Sequence, residues 1–590
     1  MSVLRAEGLS VTAQIGGVEV AALDGLSLSL APGKVLGLVG ESGAGKSMLG
    51  RAIAQLLPPG FAVSAGKLEF AGHDLVAMTP DKRRDLLGRQ IGFIPQEPLS
   101  ALNPVRSIGS QFAEHLRRLG IADWRAAAIK ALESVQLPDL LDRFPHQLSG
   151  GMCQRVLIAM AFASKPALVV ADEPTTALDV TIQARIVALM RELQIAQNTA
   201  VLFITHDLRL AAQVCDDIAV LYAGRVVEHG PAETVLAQPL HPYTKCLLLA
   251  APAISGPRQA LFALQDQMPG LRALAEMSGC RFAPRCPLAR DACRAAVPVL
   301  AGDAHKVACP HIAEIEQITV SELAPVPVAA TGQTLVSVAG LGKVFRGRFG
   351  RKPTVAVRNV SFSIAAGEFV GVVGESGSGK STLARLLMGL EQKSTGEIRL
   401  IGQDVGSWGA AARRLRLRTA QMVFQDPQSA LNPRRRVGAI VTQALEAAGV
   451  GLAERRARAA EILADLGMPL ELVDRAPSQL SGGQRQRVNI GRALCLVPKL
   501  LVADEIVSGL DVSVQAQLLA LLARLRAEHG FALLLISHDL AVVRYLCERV
   551  MVMKNGEVVE AGRTRDVFAN PQHQYTRELL ASVPGAAILR

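Results

Sequence analysis

An ordered set of sequence motifs occurs twice in this chain and limits the folds that it can adopt. Lys46 recurs as Lys380 after 334 residues, and Asp172 recurs as Asp504 after 332 residues. The units that build solenoids and propellers repeat every ~20–50 residues, so this spacing is that of a whole domain. We therefore expect two copies of one domain, joined in a chain of 590 residues.

Length and composition agree with two packed domains. The chain is too long for one hydrophobic core and suits about two to four domains. Half of its residues are apolar, but it holds no apolar run of 18 residues, so we expect no membrane-spanning helix. Residues Met1–Arg5 do not begin a signal peptide, and we expect the protein to stay in the cytoplasm.

The net charge of +11 is concentrated in the runs Lys82–Arg84, Arg413–Arg418 and Arg434–Arg436. Such runs form solvated helix faces or contact an anionic surface, either a membrane or nucleic acid. Aromatic residues make up only 4% of the chain and do not interleave with these runs. Base stacking is therefore unsupported, and we expect no nucleic-acid partner.

Two glycine-rich segments, Gly40–Ser47 and Gly374–Ser381, fit the phosphate-loop pattern G-x-x-x-x-G-K-[ST]. Each follows an apolar strand and precedes a predicted helix, at Met48–Leu57 and Thr382–Leu390. Backbone N–H groups and the helix N-terminus there favour bound phosphate. The residues expected to bind ATP are Gly40, Ser42, Gly43, Gly45, Lys46, Ser47 and Met48 in the first copy, and Gly374, Ser376, Gly377, Gly379, Lys380, Ser381 and Thr382 in the second.

Two acids end an apolar run in each copy, in Leu168–Glu173 and again in Leu500–Glu505. This pattern predicts a buried parallel strand that delivers both acids to the carboxyl edge of a sheet. Asp172 then suits the Mg²⁺ shell together with Ser47, while Glu173 can polarise an attacking water. The matching residues of the second copy are Ser381, Asp504 and Glu505.

Further segments resemble ATP-binding-cassette (ABC) ATPases over about residues 1–250 and 333–582. Leu148–Arg155 and Leu480–Arg487 resemble the family signature, which other P-loop proteins lack. The family's other elements match at the Q-loop (Gln96, Gln425), the D-loop (Thr176–Asp179, Ser508–Asp511) and the switch histidine (His206, His538). The resemblance implies an α/β fold of two P-loop ABC domains in tandem, at residues 1–250 and 333–590, with a Cys-rich extension and linker at residues 251–332.

In this family two cassettes pack head to tail, which implies two composite ATP sites. Each P-loop and its acids would face the signature of the other cassette, a second helix-start anion site. The signature residues implied to bind ATP are Ser149, Gly150, Gly151, Ser481, Gly482 and Gly483. The resemblance also implies catalytic roles for Glu173, His206, Glu505 and His538, and Mg²⁺ ligation by Ser47, Gln96, Asp172, Ser381, Gln425 and Asp504.

Departures from the family pattern distinguish the two copies. Cys153 stands where the family usually has Arg, Ile506 where it has Pro, and Gly509 where it has Ala. Phe345 suits the family's adenine-stacking position, but Ala13 occupies that place in the first copy. We therefore expect weaker adenine stacking at the first site and unequal turnover.

The subfamily resemblance is to oligopeptide and dipeptide importers, including those for glutathione and nickel. It is carried by Gln96–Pro104 and Gln425–Pro433 and by the tails His241–Thr244 and His573–Thr576. Alone, the tails could reflect Thr as a helix N-cap. The resemblance implies an ATP-hydrolysing subunit at the cytoplasmic face of the inner membrane, with two permease subunits and a solute-binding protein as partners. The transported substrate would be recognised by those partners and not by this chain.

Four of the nine cysteines, Cys280, Cys286, Cys293 and Cys309, lie within 30 residues of the extension. Clustered thiols of a cytoplasmic protein indicate metal ligands, and the spacing leaves an iron–sulfur cluster, zinc or unligated thiols open. The segment Gly279–Pro287 resembles an extension of peptide-importer ATPases, some of which carry a [4Fe–4S] cluster.

Two other classes of twin-cassette protein compete with the importer. Ribosome-acting ABC proteins have a long charged helical linker, whereas residues 251–332 hold Pro and Cys and no charge runs. DNA-repair ATPases separate the P-loop from the signature by large insertions, whereas Lys46 and Ser149 are 103 residues apart. Both features favour the importer.

Overall fold

The computed structural model describes residues 2–176, 178–265, 268–323, 332–346 and 353–583. Two cassettes of like architecture are joined by the insert between them. Ala177 of the first D-loop, linker residues 324–331 and the chain end after residue 583 lie outside the described residues, so the predicted domain limits there stay predictions.

The first cassette contains an antiparallel sheet and a larger core sheet. Its strands, with one from the insert, are β1 (Leu4–Ile15), β2 (Val18–Leu30), β3 (Val35–Val39), β4 (Phe61–Phe70), β5 (His73–Asp74), β6 (Ile91–Ile94), β7 (Leu168–Asp172), β8 (Ala200–Thr205), β9 (Asp217–Tyr222), β10 (Arg225–Pro231) and β11 (Lys306–Val307). The strand orders are β2-β1-β4-β5 and β11-β10-β9-β3-β8-β7-β6, with β9, β3, β8, β7 and β6 parallel.

Helices cover both sides of this core sheet. They are α1 (Lys46–Ile53), α2 (Pro80–Leu86), α3 (Pro98–Ala101), α4 (Ile108–Arg118), α5 (Trp124–Ser134), α6 (Gly150–Phe162), α7 (Val180–Gln197), α8 (Leu208–Val214), α9 (Ala232–Ala237) and α10 (Pro242–Ala250), followed in the insert by α11 (Leu271–Ala275) and α12 (Asp291–Ala295).

The second cassette repeats the plan. Its strands are β12 (Thr334–Phe345), β13 (Thr354–Ala365), β14 (Phe369–Val373), β15 (Thr395–Leu400), β16 (Gln403–Asp404), β17 (Ala420–Val423), β18 (Leu500–Asp504), β19 (Ala532–Ile536), β20 (Arg549–Lys554) and β21 (Glu557–Arg563). The orders are β13-β12-β15-β16 and β17-β18-β19-β14-β20-β21. Its helices are α13 (Lys380–Met388), α14 (Ala410–Thr419), α15 (Pro427–Ala430), α16 (Val437–Val441), α17 (Gln443–Ala447), α18 (Leu452–Asp465), α19 (Gly482–Leu494), α20 (Val512–His529), α21 (Leu540–Leu546), α22 (Thr564–Ala569) and α23 (Gln574–Ala581).

The continuous apolar runs of the core strands follow from burial on both faces. In β7, Val169 and Ala171 face one hydrophobic core while Leu168 and Val170 face the other. A parallel strand covered by helices and a second sheet has no solvent face, so its sequence does not alternate. Strand β8 lies between β3 and β7, so the P-loop after β3 and the acids at the end of β7 meet at one sheet edge.

The predicted helices Met48–Leu57 and Thr382–Leu390 begin two residues too late, because the phosphate-loop lysine already lies in the first helical turn. Helix α1 also ends four residues before the predicted end. There Gln55 adopts a φ of +57° and Pro58 lacks a backbone N–H.

One basic run is partly structural. Arg416, expected on a solvated face or at an anionic surface, is buried. Its guanidinium donates to the carbonyl oxygens of Ser407, at 2.9 Å, and of Val405. Arg435 of another run is paired with Glu446. Arg416 is therefore not free for a partner, whereas Arg435 forms a partly exposed ion pair.

The insert contacts both cassettes. Strand β11 extends the core sheet of the first cassette by pairing with β10. Arg544 of the second cassette donates to the carbonyl oxygen of Ala253 at 2.9 Å, and the guanidinium of Arg258 lies 5.2 Å from the ring centre of Tyr545. The insert therefore packs against both cassettes.

Candidate functional site

In each cassette the phosphate-loop lysine is tied to its own loop. Lys46 Nζ donates to the carbonyl oxygens of Gly40 at 2.8 Å and Glu41 at 2.9 Å. The second loop repeats this geometry, with bonds of 2.7 and 2.8 Å from Lys380 to Gly374 and Glu375. Burial lowers the pKa of both lysines. Each loop thus holds a buried ammonium group at a helix N-terminus, an arrangement suited to phosphate.

The last glycine of each loop is required by geometry. Gly45 has a φ of +103° and Gly379 a φ of +102°, where side chains are strained. A Cβ on Gly45 would also lie 2.7 Å from the carbonyl oxygen of Ala22, and one on Gly379 would lie 2.3 Å from that of Ala356. The neighbouring backbone therefore excludes any larger residue.

The structure brings together the hydroxyl and carboxylate predicted to hold Mg²⁺. Ser47 Oγ donates to Asp172 Oδ1 at 2.9 Å, and Ser381 Oγ donates to Asp504 Oδ1 at 3.0 Å. Burial raises the pKa of both aspartates. Oxygen ligands of this kind are those that Mg²⁺ prefers.

The predicted catalytic glutamate is the centre of a hydrogen-bonded group in each half. Glu173 Oε2 accepts from Gln96 Nε2 at 3.1 Å and from Thr176 Oγ1 at 2.8 Å, and it lies 3.3 Å from His206 Nδ1. The second half repeats two of these contacts: Glu505 Oε2 accepts from Gln425 Nε2 at 2.7 Å and lies 3.5 Å from His538 Nδ1.

Burial disfavours the charged forms of the glutamate and the histidine, but the interaction between the two has a larger effect on their pKa values. Burial alone would raise the pKa of Glu173, yet the hydrogen bond and charge of His206 lower it to about 2. Burial would likewise lower the pKa of His206, and Glu173 raises it instead. The second pair shifts in the same directions, with the pKa of Glu505 lowered and that of His538 raised.

The backbone at this glutamate is strained in both copies. Glu173 has a φ of +47° and Glu505 a φ of +48°, a region that non-glycine residues rarely adopt. The N–H of each donates to the adjacent strand, to the carbonyl oxygen of Ile204 at 3.0 Å or of Ile536 at 2.9 Å. Such strain persists where surrounding structure fixes a side chain for function.

Each signature segment begins a helix, as the sequence predicts. Ser149 and Ser481 are the N-caps of α6 and α19. In each case the serine Oγ accepts, at 3.3 Å, from the backbone N–H of the residue three positions later. A Cβ on Gly151 would lie 2.7 Å from Ile182 of α7, so the signature packs on the helix that follows the D-loop. A Cβ on Gly483 would meet Val514 of α20 at 2.8 Å.

The two cassettes meet through their D-loops and P-loops. Asp511 Oδ2 accepts from the backbone N–H of Ser42 at 3.3 Å, and Asp179 Oδ2 accepts from that of Ser376 at 3.1 Å. Thr181 Oγ1 donates to Glu375 Oε1 at 2.8 Å. Each P-loop is therefore contacted by the opposite D-loop, a head-to-tail arrangement.

Sequence reasoning missed the role of the tail tyrosines. Tyr243 Oη accepts from the backbone N–H of Glu41 at 2.8 Å, and Tyr575 Oη accepts from that of Glu375 at 2.9 Å. The tail motifs His241–Thr244 and His573–Thr576, which marked the subfamily, were the available signal.

The alternative interpretation of these tails, Thr as N-cap, is wrong. His241 and His573 are the N-caps, and their Nδ1 atoms accept from the N–H groups of Tyr243 and Tyr575 at 3.0 and 3.1 Å. Burial lowers the pKa of His241 to about 3, which keeps this nitrogen free to accept.

The two positions predicted to stack adenine differ in exposure. Phe345 ends strand β12 with 38% of its surface exposed, and Lys343 Nζ lies 4.6 Å from its ring centre. Ala13 is 7% exposed in strand β1, opposite Phe61 of β4. The first copy therefore has no ring at that position.

The four clustered cysteines line one cavity of about 470 Å³ together with His311. Cys293 Sγ lies 3.4 Å from His311 Nε2. Burial raises the pKa of Cys280 and Cys309, and that of Cys286 to about 12. Within the described part of the chain, no group of three or more His, Cys, Asp or Glu side chains is arranged to hold a metal ion. The structure thus places the four thiols around one cavity but does not support the prediction that they bind a metal.

No helix among the described residues is long and apolar enough to span a membrane. This agrees with the composition of the strands and helices, whose apolar faces pack on the two cassette cores.

Comparison with known proteins identifies the repeated unit. Residues 23–176 and 357–508 match the family model described as ABC transporter. Residues 227–293 and 559–588 match the model described as oligopeptide/dipeptide transporter, C-terminal region. The first of these segments includes three of the four clustered cysteines.

Similar proteins extend over the whole chain. It is 40% identical over 603 residues to the oligopeptide transport ATP-binding protein OppD of Mycobacterium tuberculosis, covering 98% of each chain. It is also 40% identical over 602 residues to the glutathione import ATP-binding protein GsiA of Salmonella typhimurium, covering 99% of this chain and 90% of that protein. The GsiA protein of Escherichia coli O157:H7 is similar at 40% over 603 residues.

Proposed function

This chain belongs to the ABC transporter family, among its ATP-hydrolysing subunits with two fused cassettes, and we propose that it drives the import of short peptides. The observation that carries the proposal is the similarity over nearly the full chain to proteins named for two such solutes. Identity is 40% both to an oligopeptide and to a glutathione transport protein. Glutathione is itself a tripeptide, so short peptides are the class that covers both names. The comparisons give no support to the ribosome-acting alternative.

In the proposed mechanism, ATP binds with its phosphates on the loop Gly40–Ser47. Ser47 and Asp172 would hold Mg²⁺, which would neutralise charge on the phosphates. Glu173 then orients and polarises the attacking water, and His206 holds that carboxylate in place. Gln96, whose Nε2 donates to Glu173, would be a further ligand of Mg²⁺. The same roles apply to the matching residues of the second cassette.

Closure of the two halves is driven by the shared nucleotide. The signature N–H groups of one cassette would complete the phosphate site of the other, so ATP stabilises the closed state and hydrolysis releases it. The contacts of each D-loop with the opposite P-loop support this composite arrangement. We include in this proposal the division of the chain into residues 1–250, 251–332 and 333–590, and the roles of the predicted ATP-binding, Mg²⁺-binding and catalytic residues.

Two integral membrane permease subunits and a solute-binding protein complete the proposed importer. The chain would lie at the cytoplasmic face of the inner membrane, with its Q-loop regions receiving permease helices. The test is to purify the tagged chain from detergent-solubilised membranes and reconstitute the assembly in liposomes. We expect ATP hydrolysis to rise when a peptide-loaded binding protein is added. Co-purification with ribosomes or DNA instead of membrane subunits would contradict the proposal.

We also propose that Cys280, Cys286, Cys293 and Cys309 hold a [4Fe–4S] cluster. Four thiols facing one cavity are a suitable donor set, and such a cluster takes one thiolate on each iron. A single zinc ion needs all four sulfurs at about 2.3 Å, and no group of three or more such side chains among the described residues is arranged to hold one ion. A bound cluster would cross-link the irregular segment that contains the four cysteines and make it rigid. Protein purified without oxygen should absorb broadly around ~400 nm, whereas a colourless protein with one zinc per chain would rule the cluster out.

A further inference from the structure

The loop between the first two clustered cysteines reaches the first P-loop through a buried ion pair. Arg285 Nη1 and Nη2 donate to Glu41 Oε2 and Oε1 at 2.7 and 3.0 Å. The two side chains are only 2% and 5% exposed. A bidentate pair with this burial fixes both partners in position, and removing one partner leaves an uncompensated buried charge.

Glu41 is itself part of the phosphate site. Its carbonyl oxygen accepts from Lys46 Nζ at 2.9 Å, and its N–H donates to Tyr243 Oη at 2.8 Å. The carboxylate held by Arg285 therefore belongs to the residue whose backbone orients the phosphate lysine. A displacement of this carboxylate would move the carbonyl that Lys46 depends on.

The segment carrying Arg285 is anchored on the first cassette. The ring of Phe282 lies 5.1 Å from that of Tyr222 and 5.3 Å from that of Tyr243. Arg285 Nε donates to the carbonyl oxygen of Gln265 at 3.0 Å. Because Arg285 directly precedes Cys286 in the chain, a change in how the cysteines are arranged has a short covalent route to Glu41.

Among the described residues, the second P-loop has no ion pair equivalent to that of Arg285. Its counterpart residue, Glu375, accepts from Thr181 of the other cassette at 2.8 Å, and Glu41 accepts in the same way from Ser513. At the place of Tyr222 the second cassette has Lys554, whose Nζ lies 4.5 Å from the ring centre of Tyr575. Within the described residues, Glu375 forms no salt bridge, whereas Glu41 has Arg285.

We propose that Arg285 is a positioning residue for the first P-loop, through which the four-cysteine insert sets the ATP affinity of the first site and not of the second. The proposal rests on the proposed function, because it requires ATP to bind at both loops. Without Arg285, the Glu41 carboxylate would keep the hydroxyl of Ser513 as a partner, but its negative charge beside the phosphate site would be uncompensated. ATP binding at that site should therefore weaken.

The test measures each site separately in a chain that cannot hydrolyse ATP. In the Glu173→Gln/Glu505→Gln background, Lys380→Ala leaves the first site for titration with Mg-ATP, and Lys46→Ala leaves the second. We expect Arg285→Met to raise the Kd of the first site about tenfold, within the usual range of coupling between sites, and to change the second less than twofold. Arg285→Lys should recover part of the loss.

Arg290→Met is the matched control. It removes an arginine from the same insert, but that arginine is exposed and pairs with Glu314 at 2.5 Å. It should change neither Kd. Retained ATP binding at the second site shows that each variant is folded. Equal weakening at both sites, or an unchanged first site, would overturn the proposal.

The dependence on the cysteines is tested by a double-mutant cycle. Cys286→Ser should weaken ATP binding at the first site, and in the Arg285→Met background it should add nothing, because both changes act through one route. The doubly neutral pair Glu41→Gln/Arg285→Met, which leaves no buried charge, should also abolish the effect of Cys286→Ser. Full additivity would refute the coupling. If the chain with Arg285 intact bound no ATP at the first site, the proposed function would fail instead.

Discussion

The two phosphate loops share their internal geometry and differ in their surroundings. The bonds from the lysine to its loop agree within 0.1 Å between the copies. Outside the loop, both glutamates accept from the opposite cassette, Glu41 from Ser513 and Glu375 from Thr181. Glu41 alone also pairs with an arginine of the insert among the described residues, Arg285. The residues proposed for hydrolysis are present in both copies, whereas the connections of each site to the insert differ.

The signature segments show the same contrast. Arg485 Nε donates to the carbonyl oxygen of Pro477 at 2.9 Å. In the first cassette Cys153 takes that place, with its sulfur 3.7 Å from the carbonyl oxygen of Pro145. A thiol is a weak donor, so this contact holds its segment less firmly than the guanidinium does. In the proposed head-to-tail arrangement, the first signature would complete the site built on the second P-loop.

The largest effect expected is from removal of the catalytic carboxylates one at a time. Glu173→Gln and Glu505→Gln should each slow phosphate release at their own site by ~100-fold or more, because a positioned base contributes that much. Each variant should instead retain bound ATP. Single-turnover measurements with the other site blocked at its lysine give the two values. Near-normal hydrolysis in either variant would refute the role of that glutamate.

Much of this site was predictable because its chemistry constrains local sequence. A phosphate loop needs glycines at fixed places, and a doubly buried strand ending in acids leaves a continuous apolar run, so Gly45 and Asp172 could be read directly. Their contacts follow from strand order at one sheet edge.

The connections between distant segments could not be predicted in this way. The pair Glu41 and Arg285 joins residues 244 apart in the chain, and a single Arg in an irregular insert carries no periodic signal. The burial of Arg416 was missed because carbonyl oxygens of a loop, rather than an acidic side chain, satisfy it. Such contacts depend on tertiary packing that motif spacing does not encode.

The D-loop aspartates allow the head-to-tail contact to be separated from helix capping. Asp179 and Asp511 cap α7 and α20 and also accept from the opposite P-loop. Asp179→Ala should lower the free energy of unfolding by about 1 kcal/mol, the usual value of a cap, and also weaken ATP binding at the second P-loop. Asp511→Ala should do the same at the first P-loop.

Asp123→Ala is the control for this prediction, because Asp123 caps α5 and makes no contact with a P-loop among the described residues. It should reduce stability without changing either Kd for ATP. If Asp179→Ala and Asp123→Ala behaved alike in both measurements, the D-loop contact would have no part in nucleotide binding.

The Glu–His pairs predict a pH-dependent stability. The pKa of Glu173 is lowered to about 2 and that of His206 is raised. The contribution of Glu173 is complete above its ordinary pKa near ~4.5, and that of His206 is complete below ~6.5 and is lost as pH rises through its raised pKa. His206→Gln should therefore lower the Tm most at about pH 5 to 6 and less at higher pH. Thermal unfolding across pH would show this, and a constant difference would contradict it.

The pair of Glu505 and His538 allows the same pH dependence to be compared between the two cassettes. His538 lies 3.5 Å from Glu505, against 3.3 Å in the first pair, and Glu505 has no counterpart to the Thr176 hydroxyl bond among the described side-chain contacts. His538→Gln should thus give the same pH profile with a smaller amplitude. An amplitude larger than that of His206→Gln would show that geometry alone does not rank the pairs.

The smallest effect expected concerns the adenine platform. Phe345→Ala should weaken ATP binding at the second site by up to ~1 kcal/mol, about fivefold, because only one aromatic contact is lost. Inorganic tripolyphosphate, which has no base, should bind equally to both forms and serves as the control. Since Ala13 offers no ring, the first site should already bind ATP with the weaker affinity, and the variant should bring the two sites closer together. An unchanged difference between the sites would mean that their inequality arises at the phosphate loops, where Arg285 acts, and not at the base.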